Sequence, residues 1–312
     1  MQKTDLAFIF PGQGSQKIGM LAELAAEYPV IGATFGEASD ALGYDLWDLV
    51  QNGQQEDINL TERTQPLLLT ASVALWRVWR QRGGALPALM AGHSLGEWSA
   101  LVCAESVAFV DAVKLVRLRG AFMQDAVPPG EGAMAAIMGL DDQLIRDICS
   151  QSAQGGVVSA VNYNSPGQVV IAGDAAAVAR AVEGLKAAGA KRALPLPVSA
   201  PFHTSLMRPA ADRLAEHIMA TGFAAPKIPV VHNVHARVEA DPEAIRSLMI
   251  EQIYSPVLWV DCIAAMVAAG MTSMVECGPG KVVGGLAKRI DRAVNIYATE
   301  DRASLDEALS AV

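Results

Sequence analysis

Short apolar runs alternate with longer helical patterns in the first third of the chain. The segment from Leu6 to Phe10 is uniformly apolar and stops at a glycine-rich loop, residues 11–16, before a helix that begins near Met20. Apolar residues recur at helical spacing from Pro66 to Gln81, and two glycines end that pattern. This alternation predicts helices packed on a sheet, which is an α/β fold.

A sharp strand-to-helix turn is predicted near residue 92. An apolar run ends at Ala91, the sequence Gly-His-Ser-Leu-Gly follows at 92–96, and residues 97–102 are typical of a helix. A further helix is expected to open at Asp111 as its N-cap and to run past Arg119 towards the proline and glycine cluster at 128–130.

The middle of the chain follows a different order. Strand and helix patterns succeed each other as βαββαβ, at 134–138, 141–151, 157–163, 168–172, 174–188 and 192–196. This order is typical of a ferredoxin-like unit, which can be inserted into a larger domain. We therefore predict a catalytic core formed by residues 1–127 and 198–312, with a small subdomain at 128–197.

Composition and charge narrow the range of functions that the chain can have. The chain has 312 residues, 52% of them hydrophobic, and a net charge of −9, which argues against nucleic-acid or anionic-membrane binding. The N-terminus lacks a signal-peptide pattern and no apolar run is long enough to span a membrane, so a cytoplasmic location is expected. The four cysteines are widely spaced, which favours reduced structural thiols.

Ser94 is the first candidate for chemistry. It lies between Gly92 and Gly96 at the predicted turn, the pattern of a nucleophile elbow, in which flanking glycines let neighbouring backbone pass close. The glycine-rich loop at 12–17 matches neither the dinucleotide-binding nor the phosphate-loop pattern, so no nucleotide cofactor is expected.

A serine nucleophile needs a base, and the chain offers five histidines. His217 lies in a partly charged helical stretch and reads as a surface residue, whereas His93 would leave the elbow in another direction. His232 and His235 share a strand-like segment but lack a third metal ligand. His203 stands where a new helix begins and can reach across to another element. A purely structural role is the more common one for a lone histidine, so a role as base needs independent support.

Arg119 is predicted to point inwards. Its neighbours at helical spacing are Leu115, Val116, Phe122 and Met123, whereas Arg117 has a more polar surrounding. A buried guanidinium needs an anionic partner, which is either an internal carboxylate or a bound anion.

Taken together, these motifs resemble the malonyl-CoA:acyl carrier protein transacylases of type II fatty acid synthesis. The resemblance rests on the segments 10–16, 92–97, 198–203 and 276–280 together with Arg119 and Gln252, in order over nearly the whole chain. It implies an α/β-hydrolase-like core with a parallel sheet and an inserted ferredoxin-like (βαββαβ) subdomain.

The same resemblance implies residue roles. Ser94 would be the nucleophile and His203 the general base, oriented by the main-chain carbonyl of Gln252 in place of a carboxylate. The backbone N–H groups of Gln13 and Leu95 would form the oxyanion hole. Arg119 would bind the free carboxylate of a malonyl group, and Phe202 matches the pattern of malonyl-selecting acyltransferase domains.

The expected reaction is a double displacement without metal or other cofactor. Malonyl-CoA would acylate Ser94, CoA would leave, and the phosphopantetheine thiol of acyl carrier protein would take the malonyl group. Basic clusters at Lys186, Lys191 and Arg192 or at Lys288, Arg289 and Arg292 are candidates for carrier docking, and a monomer is expected. The alternatives are a serine esterase or thioesterase, an acyltransferase of polyketide or malonate metabolism, and a non-catalytic binding protein.

Overall fold

The elements of the chain are those of a two-sheet α/β protein. The structure, a computed structural model, describes residues 2–198 and 200–312, so Met1 and Ser199, the latter part of the motif before His203, lie outside it. The strands of this part are β1 Leu6–Phe10, β2 Leu89–Gly92, β3 Gly132–Met138, β4 Val158–Ser165, β5 Gln168–Asp174, β6 Arg192–Pro195, β7 Val230–Val231, β8 Ser273–Glu276 and β9 Asn295–Ala298. Its helices are α1 Ala22–Glu27, α2 Pro29–Leu42, α3 Leu46–Asn52, α4 Gln55–Ile58, α5 Thr61–Gln81, α6 Leu95–Cys103, α7 Phe109–Asp125, α8 Asp142–Ala153, α9 Ala175–Ala187, α10 Arg208–Ala220, α11 Pro242–Glu251, α12 Trp259–Ala268, α13 Val282–Ile290 and α14 Arg302–Ala311.

The larger sheet is parallel, with strand order β7-β2-β1-β8-β9. Its central strand β1 is buried on both faces: Phe8 and Phe10 pack into one hydrophobic core, and Ala7 and Ile9 into a second core on the opposite side. Strands covered on both faces are uniformly apolar, which is why this segment shows no polar alternation. The α/β class and the parallel sheet are confirmed.

The smaller sheet is antiparallel and lies between β2 and β7 in the sequence. Its order is β4-β5-β3-β6, the arrangement of a ferredoxin-like unit, and α8 and α9 pack on one face. The βαββαβ order is therefore confirmed. The predicted boundaries 128–197 enclose this sheet, which spans 132–195, and remain a prediction.

Two predicted helix starts were wrong. Helix α5 begins at Thr61, five residues before Pro66, so the proline lies inside the helix rather than opening it. At this sixth position proline has no N–H to donate to the carbonyl oxygen of Glu62, so the helix lacks one intrahelical hydrogen bond there. Helix α7 begins at Phe109 with Ala108 as its N-cap, and Asp111 lies in the first turn, where its charge still faces the positive helix end.

The carboxyl ends of the parallel strands meet at one edge of the larger sheet. The loops after β1, β2 and β7 carry Gln13, Ser94 and Asn233 to this edge, where ligands bind in open α/β sheets. Among the helices in the described ranges, none combines the length and apolar character that crossing a membrane requires.

Candidate active site

Ser94 occupies a strained turn between β2 and α6. Its φ angle is 51°, a backbone conformation that residues other than glycine rarely adopt. A Cβ on Gly92 would lie 1.9 Å from the backbone carbon of Gly96, and a Cβ on Gly96 would lie 2.2 Å from the carbonyl oxygen of Phe10. The glycines are therefore required by close backbone approach, and the turn holds Ser94 at the N-terminus of α6.

Asn233 holds this turn in place. The Ser94 amide donates to Asn233 Oδ1 at 2.8 Å, and Asn233 Nδ2 donates to the carbonyl oxygen of Gly92 at 2.8 Å. Asn233 is fully buried in the loop after β7. Asn233 is not predicted from the sequence, because an asparagine after a short strand carries no local sign of a partner 139 residues away.

His203 is in contact with Ser94. Ser94 Oγ lies 2.8 Å from His203 Nε2, and His203 Nδ1 lies 2.9 Å from the main-chain oxygen of Gln252. A carbonyl oxygen can only accept, so Nδ1 carries the proton and Nε2 is free to accept from the serine hydroxyl. Burial, with the nearby Arg119 guanidinium, lowers the pKa of His203 to about 3, so the imidazole is neutral at physiological pH.

Arg119 reaches the same hydroxyl from α7. Its Nη2 donates to Ser94 Oγ at 3.3 Å and to Gln252 Oε1 at 2.8 Å, and its Nη1 donates to Gln65 Oε1 at 2.9 Å. The side chain is buried, as its helical spacing predicted. Burial lowers the pKa of Arg119 to about 10, so it remains a cation.

Within the described part of the chain, no carboxylate contacts the guanidinium of Arg119 directly. None of the ion pairs found among residues 2–198 and 200–312 includes Arg119, and within the same residues its Nε has no hydrogen-bond acceptor. The alternative of a direct internal salt bridge is therefore not observed there. A buried cation with an unused donor is suited to binding an anionic group.

A cavity of about 210 Å³ opens above Ser94 between the two sheets. From the core it is lined by Gln13, Gln65, His93, Ser94, Leu95, Arg119, Met123, Phe202 and His203, and from the small sheet and its connections by Met134, Asn162, Asn164, Val170, Leu196 and Val198. His93 Nε2 lies 2.8 Å from Asn164 Oδ1 across the junction. Gln13 and Leu95 thus lie at the cavity, while their oxyanion roles remain predictions.

The other histidines lie outside this cavity. His217 is exposed on α10, as expected. His232 is fully buried, and its Nδ1 lies 2.7 Å from Glu97 Oε1. The described residues hold no group of three or more potential ligands that could bind a metal ion, with His232 and His235 included in that search. The buried Glu97 was not recognised from the sequence as more than a motif residue.

Comparison with known proteins places the chain in a family. The acyl transferase domain family matches residues 7–291, and the chain belongs to this family. The malonyl CoA-acyl carrier protein transacylase of Salmonella typhimurium is 58% identical over 98% of this chain and 99% of its own length. The transacylase of the same name from Bacillus subtilis is 44% identical over 97% of this chain and 96% of its own.

Solved structures of similar proteins support the same grouping. An acyl carrier protein S-malonyltransferase from Vibrio cholerae superposes with a TM-score of 0.96 at 58% identity, covering 97% of this chain and 99% of that one. A malonyl-transacylase solved in complex with a type II PKS acyl-carrier protein superposes with a TM-score of 0.97 at 55% identity, covering 98% and 99%. Within the acyl transferase family, the chain therefore groups with the malonyl CoA-acyl carrier protein transacylases.

Proposed function

We propose that the protein transfers a malonyl group from malonyl-CoA to the phosphopantetheine thiol of acyl carrier protein, through an ester on Ser94, and so supplies fatty acid synthesis. One observation carries the mechanism: a single oxygen, Ser94 Oγ, contacts both a neutral imidazole at 2.8 Å and a buried guanidinium at 3.3 Å. A base and an anion-binding cation at one hydroxyl are what transfer of a charged acyl group needs.

In the first half-reaction, Ser94 Oγ would attack the thioester carbon of malonyl-CoA. His203 Nε2 takes the hydroxyl proton as the oxygen–carbon bond forms, the carbon–sulfur bond breaks, and the proton passes to the departing thiolate of CoA. Gln252 keeps the imidazole in the required tautomer through its main-chain oxygen, 2.9 Å away. Among the described residues, the Nδ1 partner of His203 is this main-chain oxygen and not a carboxylate, so the proposed pair is a dyad in which a neutral acceptor replaces the third member of a triad.

The negative charge that develops on the carbonyl oxygen needs donors. We assign these to the backbone N–H groups of Leu95, at the N-terminus of α6, and of Gln13, in the loop after β1, because both residues line the cavity beside Ser94. The helix end adds a favourable dipole. Loss of one such donor typically raises the barrier by about 3 kcal/mol.

Arg119 would select the malonyl group. Its position beside Ser94 Oγ puts the guanidinium where the carboxylate of a three-carbon diacid ester can reach it. Two parallel N–H···O bonds to the carboxylate would replace the contact with the serine, and a lysine could not reproduce this geometry. A simple acyl group offers the guanidinium no carboxylate, so acetyl-CoA gains none of this stabilisation.

In the second half-reaction, the carrier thiol gives its proton to His203 Nε2 and its sulfur attacks the ester carbon. The ester carbon–oxygen bond breaks, and His203 passes the proton to the departing Ser94 Oγ. The apolar cavity wall formed by Met134, Val170 and Leu196 limits access of water, which favours transfer over hydrolysis. Among the basic clusters considered for carrier docking, Arg289 lies at the junction, where it donates to Gln168 Oε1 of β5 at 2.9 Å, whereas Lys186 is paired with Glu183. We favour the cluster around Arg289.

The reaction needs no cofactor in this scheme, because Ser94, His203 and the two N–H groups supply every step. A monomer that presents one cleft to the carrier is part of the proposal. The four cysteines are buried free thiols, which fits the reducing conditions of the cytoplasm.

Intact mass spectrometry after mixing with acyl-CoAs tests the function. Malonyl-CoA should add one malonyl group to the protein, the adduct should be absent in Ser94→Ala, and holo acyl carrier protein should remove it and become malonylated. Release of free malonate instead of transfer would identify a thioesterase. Failure of malonyl-CoA to form any adduct would contradict the proposal altogether.

A further inference from the structure

Glu97 is a buried carboxylate to which the mechanism above gives no role. It lies in the first turn of α6, is fully buried, and accepts three hydrogen bonds. Its Oε2 accepts from the amide of Asn233 at 3.0 Å and from Gln252 Nε2 at 2.9 Å, while its Oε1 lies 2.7 Å from His232 Nδ1. Each of these partners is able to donate, so both carboxylate oxygens act as acceptors.

The side chain of Gln252 links this anion to Arg119. Gln252 Nε2 donates to Glu97 and to the carbonyl oxygen of Ser94 at 2.9 Å, so its Oε1 must face the other way. There it accepts from Arg119 Nη2 at 2.8 Å. Anion, amide and cation thus form a continuous chain, and the amide keeps the carboxylate from contacting the guanidinium directly.

A second buried side chain, His232, also contacts Glu97. His232 Nε2 is buried and has no hydrogen-bond partner among the described residues. Protonation would bury a charged N–H group without an acceptor, which costs more than an unused lone pair. These contacts favour the tautomer in which the Nδ1–H of His232 donates to Glu97. The guanidinium linked to this carboxylate through Gln252 is that of Arg119. In keeping with this, the charge of Glu97 opposes the lowering of the pKa of Arg119 by burial.

We propose that Glu97 is a positioning residue that serves as the internal counterion of Arg119 and weakens the grip of the site on the carboxylate of the bound acyl group. The inference rests on the proposed function. Glu97 stabilises the cation equally with and without substrate, but it repels the substrate carboxylate that binds on the other side of the same guanidinium. A group that must be handed to a second thiol benefits from being held less tightly.

The equilibrium of enzyme acylation measures this effect directly. The enzyme is mixed with malonyl-CoA and CoA at set ratios, and the acylated fraction is measured by intact mass spectrometry. The same measurement is then made with acetyl-CoA. Glu97→Gln keeps the size and an acceptor oxygen but removes the charge. We expect the malonyl equilibrium constant, divided by that for acetyl, to rise by about three- to tenfold over the wild type.

The acetyl measurement separates charge from general damage, because altered serine reactivity affects both acyl groups alike. Glu276→Gln is the matched control: this carboxylate is also buried and accepts three backbone N–H bonds, but it caps α13 and does not line the cavity. It should leave the ratio unchanged. A ratio that stays the same or falls in Glu97→Gln overturns the proposal, whereas absence of a malonyl ester in the wild type would refute the proposed function instead.

If Glu97→Gln does not fold, the counterion role is tested through stability. On this proposal, the loss of folding is caused by the buried cation of Arg119, which no longer has a counterion. The double variant Glu97→Gln/Arg119→Gln should therefore recover cooperative urea unfolding. Failure of the second substitution to restore folding would overturn the proposal.

Discussion

Both candidate catalytic side chains stand on unusual backbone. Ser94 and His203 have φ angles of 51° and 63°, a region in which only a few other residues with side chains lie in the described part of the chain. Such strain persists only where surrounding contacts enforce it. For Ser94 these contacts are the two hydrogen bonds of Asn233. The reactive atoms are thus positioned by neighbours that take no part in the chemistry.

Arg119 is the residue whose replacement should separate substrate choice from reactivity. We expect Arg119→Ala to lower kcat/KM for malonyl-CoA by about 100- to 1000-fold, the size of a lost bidentate charge-assisted contact. Acetyl-CoA has no carboxylate and should lose far less. Rates of CoA release with the two thioesters measure the difference.

Arg117 supplies the control for this prediction. It lies two residues earlier on α7 but is exposed, so Arg117→Ala should leave both rates nearly unchanged. Equal losses for malonyl and acetyl groups in Arg119→Ala would show that the arginine is structural.

The turn between β2 and α6 depends on its glycines more than on any of its side chains. We expect Gly96→Ala to destabilise the protein by at least about 2 kcal/mol, because its Cβ would lie 2.2 Å from a carbonyl oxygen of β1 that cannot move independently of the sheet. Urea unfolding measures the change. Gly36→Ala is the matched control, since it is exposed within α2 and its Cβ would meet open space. It should instead stabilise by about 0.5–1 kcal/mol. Similar effects of the two substitutions would rule out close backbone approach as the reason for Gly96.

The elements and the site differ in how far the sequence predicts them. The order of strands and helices follows from local apolar patterns, and the strand before Ser94 and the inward face of Arg119 were found in this way. The helix starts at Thr61 and Phe109 were missed because Pro66 and Asp111 gave plausible but misleading local signals. The residue type at one position is therefore not enough to fix where either helix begins.

Contacts between distant segments were beyond local patterns. Gln65, Glu97 and Asn233 are ordinary polar residues in sequence, yet each forms hydrogen bonds with partners 54 or more positions away. Only the packing of α5, α6 and the loop after β7 around one point brings them together. The resemblance to a known family pointed to Gln252, but its side-chain link between Glu97 and Arg119 required the structure.

For the whole molecule, the cavity depends on both sheets. Helices α8 and α9 pack on one face of the small sheet. Met134 and Val170 lie on its other face and form a wall of the cavity above Ser94. His203 is buried and lines the same cavity, so the chemistry of the site is linked to the stability of the fold.

This burial should make the free energy of unfolding depend on pH. The pKa of His203 is lowered to about 3, whereas an unfolded histidine titrates near about 6.5, so between these values the unfolded chain binds more protons. Stability is therefore fully present above the unfolded pKa and falls as the pH drops towards the folded one. We expect His203 alone to account for about 2 to 3 kcal/mol of loss between pH 6.5 and 4.5. Urea unfolding at a series of pH values should thus show a shallower decline in His203→Gln than in the wild type, and parallel curves for the two proteins would show that His203 is not held neutral by its burial.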